Sequence, residues 1–114
     1  MAEINSVVLS GRMAKDVEVV HFKNRLFGNF SLALNETYTD SVSNERKTRV
    51  SFFDCVCFGK STELILEYCK KGDSVVVSGR LILDNSQTPR TKVLVETFKL
   101  MHKKQQQPTL EKTY

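Results

Sequence analysis

Apolar residues dominate Val50-Ser51-Phe52-Phe53-Asp54-Cys55-Val56-Cys57-Phe58-Gly59-Lys60, with Asp54 the one charge among them before the closing lysine. The stretch is rich in aromatic and β-branched residues, lacks proline and ends at glycine, so it predicts a strand. Phe53, Cys55 and Cys57 share one face, and Phe52, Asp54, Val56 and Phe58 share the other. An unpaired buried carboxylate is costly, which assigns the Asp54 face to solvent. Phe52 and Phe58 then have two readings. They are open rings beside Lys60, as a platform for unpaired bases requires. Alternatively, a helix or a second subunit covers them, the commoner fate of phenylalanine.

Residues sharing a face at every second position predict strands over 4–11 and 17–22, with a polar turn at Lys23-Asn24-Arg25. In Asn29–Tyr38, Phe30, Leu32 and Leu34 form an apolar face, and simple alternation adds Tyr38 to it. Exposing Tyr38 requires a bulge or a strand that runs past the core. Thr39–Arg49 is a polar stretch, Val42 apart, and predicts a long loop carrying Arg46, Lys47 and Arg49. Such a loop either contacts a polyanion or is simply solvated.

Ser61–Lys71 predicts the one helix, capped by Ser61, with Leu64, Ile65, Tyr68 and Cys69 on its apolar face and Gly72 closing it. Strands follow over 74–83, where Gly79 marks a bend or bulge, and over 93–101. A mainly-β chain with one helix between the third and fourth long strands predicts a five-stranded Greek-key barrel of the OB type. A β-sandwich is the alternative.

The chain has 114 residues and 40% apolar content, enough for one domain with a single core. The composition turns at His102 to Lys and Gln, so residues 1–102 read as the domain and 103–114 as a flexible tail. The formal charge is +4, and Lys103, Lys104 and Lys112 against Glu111 supply +2 of it. A basic surface in the domain must therefore arise from uneven placement of charge. Three cysteines without metal-ligand or Cys-x-x-Cys spacing read as small buried residues in a reducing compartment. No paired carboxylates, activated nucleophile or metal cluster is evident, so no enzyme activity, cofactor or metal is expected. No membrane-spanning run or secretory pattern is present, which suggests a cytoplasmic, nucleoid-associated location.

Several segments together resemble the bacterial-type single-stranded DNA-binding protein family over about residues 3–102. Ile4-Asn5-Ser6-Val7-Val8-Leu9-Ser10-Gly11-Arg12-Met13 is similar to its N-K-V-x-L-x-G-R-L opening. Lys15-Asp16-Val17-Glu18-Val19 resembles K-D-P-E-V, and Asn29-Phe30-Ser31-Leu32-Ala33 resembles N-F-S-L-A. Cys57-Phe58-Gly59-Lys60 resembles L-F-G-K. Glu67-Tyr68-Cys69-Lys70-Lys71-Gly72 resembles E-Y-L-x-K-G and leads into Val75-Val76-Val77-Ser78-Gly79-Arg80-Leu81. Each piece is weak alone; their order and spacing make the resemblance specific.

The resemblance implies that Tyr38, Phe52 and Phe58 stack bases. It places Lys60, Arg12 and Lys15 at basic positions of the family, and Arg46, Lys47 and Arg49 in its DNA-clasping loop. Lys60, Arg80 and that loop are expected to pair with phosphates, with Arg12 and Lys15 as further candidates. Single-stranded DNA is the implied partner, in replication, recombination and repair, and a homotetramer the implied assembly. Val8, Val76 and Phe53 are the apolar side chains available beyond one obvious core.

Three departures stand out. Asp54 replaces a commonly basic residue, and a stacking position is lost at Ser86. The usual acidic C-terminal tip, which recruits replication and repair proteins, is absent from the sequence. The alternative function is a scaffold or replication-restart module on the same barrel, acting mainly through protein contacts.

Overall fold

The structure is a computed structural model that describes residues 3–85 and 88–101. Seven elements follow in order: β1 (Val7–Met13), β2 (Glu18–Phe22), β3 (Arg25–Thr39), β4 (Arg46–Phe58), α1 (Lys60–Tyr68), β5 (Ser74–Asp84) and β6 (Arg90–Leu100). The sheet runs β1-β5-β6-β4-β3-β2, and a further β1–β3 pairing at Arg12↔Ala33 and Met13↔Leu32 closes it. Five strands thus form the barrel. β2 is an additional strand hydrogen-bonded along β3. All ladders are antiparallel except β4–β6, which pair in parallel at Cys55↔Val93 and Val56↔Leu94. Counting only barrel strands, α1 falls between the third and fourth, as the OB topology expected from the sequence requires.

Side chains from every barrel strand fill the interior: Met13, Phe30, Leu32, Cys55, Cys57, Val75, Val77, Val93 and Val95 are buried. Burying the Phe30 ring alone favours the fold by about 1.5–3 kcal/mol. Helix α1 adds Ile65 and Thr62 to the core, followed by Cys69 just past its end. The buried Thr62 hydroxyl donates to Cys57 Sγ at 3.3 Å.

At Gly79 the β5–β6 register shifts. A Cβ there would lie 1.8 Å from the Leu94 carbonyl oxygen, so only glycine lets the strands approach this closely. The β2–β3 hairpin turns on Lys23 and Asn24, whose φ values of 51° and 61° are those of a two-residue primed turn.

The structure corrects three expectations. The segment 39–49 is not a long loop: β3 and β4 pair without interruption out to Thr39↔Arg46, leaving only Asp40–Glu45 as the connection. A two-stranded arm beyond the core buries neither face, so its sequence carries no apolar alternation. The helix is shorter than Ser61–Lys71, and Gly59, not Ser61, occupies its N-cap without a side-chain hydrogen bond. Gly72 does take a positive φ of 92°, but in the turn after the helix. Tyr68 is exposed instead of packing inward. The expected tail at 103–114 and the Ser86 position lie outside the described residues.

Candidate nucleic-acid interface

Strand register arranges the outer wall of the barrel in rows. Opposite residues share a face, so Arg12, Ala33 and Phe52 form one row across β1, β3 and β4. Ser31 and Asp54 form the next, then Glu18, Asn29 and Val56, then Val20, Phe27 and Phe58, with Phe22 and Arg25 at the end. Rings therefore lie at both ends of the wall, with a polar band between them. Phe52 is 65% exposed and Phe58 46%, whereas Cys55 and Cys57, one residue out of phase, are buried. The solvent-side reading of the Asp54 face is correct.

The Phe58 ring meets Phe27 edge to face, with centroids 5.6 Å apart and an interplanar angle of 86°. Beyond Phe58, Lys60 is exposed in the first turn of α1 and makes no ion pair among the described residues. Phe22, 58% exposed, carries the Lys23 ammonium 5.3 Å from its ring centre. Val20, Phe22, Phe27, Asn29, Val56 and the β5 residues Ile82 and Leu83 enclose a groove of about 560 Å³. Its far side is the β5–β6 hairpin, where Lys92 pairs with Asp84 at 2.8 Å.

Tyr38 is 43% exposed because β3 runs past the core. The unbroken β3–β4 register nevertheless keeps it, with Lys47 and Arg49, on the ribbon face opposite Phe52. The Arg49 guanidinium sits 5.2 Å from the Tyr38 ring centre and donates to Glu36 at 3.1 Å. Lys47 pairs with Asp40 at 2.9 Å, and this contact holds the Asp40 carboxyl below the usual range. Arg46 is exposed opposite Thr39.

The remaining sequence-predicted cations have internal partners. Arg12 donates to the Gly72 carbonyl at 3.1 Å. Lys15 pairs with Glu18 at 3.4 Å, and Arg80 with Glu96 at 3.5 Å. Asp54 is held by the Ser31 hydroxyl at 3.1 Å and by Arg90 at 2.8 Å. Phe52, Phe58, Lys60 and Arg12 thus share the outer wall or its margin, while Tyr38, Lys47 and Arg49 form a second group on the ribbon.

Phe22, Phe27, Lys23 and Arg90 complete the wall and are missing from the sequence-based set. The juxtaposed Phe22-Lys23 beside a turn was the available signal. Burial pushes the Cys55 thiol up to about 12, with the charge of Asp54 contributing, and burial also raises Cys57. Among the described residues no helix is long and apolar enough to cross a membrane.

Comparison with known proteins supplies relatives for this geometry. Residues 4–106 match the single-strand binding protein family. The single-stranded DNA-binding protein of Borreliella burgdorferi is 39% identical over 92 residues, 80% of this chain and 60% of that protein. Single-stranded DNA-binding protein 3 of Streptococcus agalactiae is 34% identical over 111 residues, 91% of this chain and 78% of that protein. A solved structure described as Plasmodium falciparum SSB in complex with ssDNA shares the fold with a TM-score of 0.77 at 24% identity. The match covers 90% of this chain and 98% of that one. The chain spans about three fifths of the length of its Borreliella and Fusobacterium nucleatum relatives.

Proposed function

The chain belongs to the single-strand binding protein family, and on that premise we propose that it binds single-stranded DNA without strict regard to sequence. In this reading it protects and straightens unpaired DNA during replication, recombination and repair. The observation that carries it is the wall itself: exposed phenyl rings of Phe52 and Phe58 stand at its two ends, Lys60 follows Phe58, and Phe22, with Lys23 over its ring, lines the apolar groove alongside. Bases stack on rings whatever their identity, each contact contributing roughly 1–3 kcal/mol. Paired bases hide their flat faces, so a duplex cannot use the wall. Tyr38 stacks a base further along the strand's path, on the ribbon. Lys60, Arg46, Lys47, Arg49, Arg80, Arg12 and Lys15 are the proposed phosphate contacts. Those already ion-paired exchange a carboxylate for a phosphate, and each phosphate neutralised releases condensed counterions from the DNA, so affinity falls with salt.

The test is an anisotropy titration of labelled oligo(dT) and of a duplex of equal length, repeated at two salt concentrations. Tighter binding of the single strand, weakened by salt, is expected; equal affinity for both would refute the reading. Internal pairing of the cations favours a second reading, a scaffold acting through protein contacts. Only feeble oligo(dT) binding would select it.

We also infer a homotetramer. Between Val7 and Ser10, β1 is hydrogen-bonded to β5 alone, leaving an open edge for a second copy. Val8 and Val76 share the wall beside that edge, whereas Phe53, 37% exposed, has the opposite parity. Light scattering that gives a monomer at micromolar concentration would overturn the assembly.

A further inference from the structure

The polar band between the two groups of rings is itself a small concavity. Lys15, Glu18, Asn29, Ser31, Asp54 and Lys92 line a recess of about 180 Å³, which adjoins the apolar groove at Asn29 and Lys92. Asp54 lies on the same strand face as Phe52, about 7 Å along it. A base stacked on that ring can reach the recess with one edge. The Asp54 carboxylate accepts from Ser31 on Oδ1 and from Arg90 on Oδ2. Each carboxylate oxygen has a second acceptor site, so the group still has capacity for a donor. The Asn29 side-chain amide makes no hydrogen bond among the described residues, and Lys92, whose ammonium pairs with Asp84 at 2.8 Å, also lines the recess.

We propose that this recess reads the edge of one base in the bound strand and prefers cytosine to thymine, with Asp54 as the specificity-determining residue. Cytosine presents its exocyclic N4 amine to the carboxylate and its ring N3 and O2 acceptors to Asn29 and Lys92. Thymine places the O4 acceptor where cytosine has the amine, against a carboxylate that is also an acceptor. The proposal rests on the single-stranded DNA reading above and adds a bias at one position to otherwise tolerant stacking.

The experiment is an anisotropy titration of equal-length oligo(dC) and oligo(dT), in slightly alkaline buffer that keeps oligo(dC) unstructured, with the full chain and its Asp54→Asn variant. The unaltered chain is expected to bind oligo(dC) about tenfold more tightly. In Asp54→Asn the amide both donates and accepts, so the ratio should collapse towards unity. Strong, equal binding of both oligonucleotides by the unaltered chain would overturn the cytosine assignment and leave the DNA reading intact. A preference that survives Asp54→Asn would also overturn it. Failure to bind either oligonucleotide removes the DNA reading and this proposal together.

Discussion

Truncating Phe52 separates a ring kept for a ligand from a ring kept for the fold. Phe52 is 65% exposed, and its cross-strand neighbour is Ala33, which offers one methyl group. Removing the ring therefore changes stability by no more than about 0.5 kcal/mol, the usual range for surface sites. If a base stacks on it, Phe52→Ala loses roughly 1–3 kcal/mol of binding, about 5-fold to 150-fold in Kd. Phe58→Ala behaves differently. It also loses the edge-to-face contact with Phe27, worth about 0.5–1.5 kcal/mol to the folded protein. The assay is oligo(dT) anisotropy at low salt, paired with thermal unfolding of each variant. Phe52→Ala should weaken binding with an unmoved Tm, and Phe58→Ala should lower both. Unchanged affinity in Phe52→Ala with an intact fold would show that the ring carries no base.

Phe22→Ala should weaken oligo(dT) binding by roughly 1–3 kcal/mol in the same titration, because the ring lines the groove and carries the Lys23 ammonium over its face. Gly79→Ala should unfold the barrel or lower its stability by more than about 3 kcal/mol, read by urea denaturation, because the new methyl group meets the Leu94 carbonyl. The Cys55 thiol, with an ordinary value of 9.0, is raised to about 12 in the fold. Its contribution to stability is therefore complete below pH 9.0 and declines as pH rises towards 12. The decline is about 1.4 kcal/mol per pH unit. Alkaline urea titrations of the unaltered chain and Cys55→Ala should show this component only in the former.

Legibility in the sequence followed the presence of a buried face. Phe30, Leu32, Cys55 and Cys57 alternate with polar or exposed partners because one side of each strand meets the core. A single charge, Asp54, was enough to orient β4. Gly79 was readable as a bulge because a strand interior otherwise disfavours glycine. The β4 half of the ribbon was not readable as strand, since Arg46, Lys47, Thr48 and Arg49 are all polar. Its signature lies in cross-strand pairs such as Glu36 with Arg49, which emerge only once the register is known. The groove was hidden for a related reason. Val20, Phe27 and Val56 come from neighbouring strands, but Ile82 and Leu83 reach them from a distant hairpin. Tyr38 was exposed by strand length, as one of the two foreseen routes required, without a bulge in β3–β4.

Lys47, Arg49, Arg80, Arg90 and Lys92 each face a carboxylate of the same chain. A double helix approaching from solvent displays mainly its charged backbone, and these five positive groups are already answered. It has no unpaired ring to contribute in return. Under the proposed function, discrimination against duplex DNA would then begin before any base is touched, because these five cations would leave their carboxylates only for a partner that also stacks.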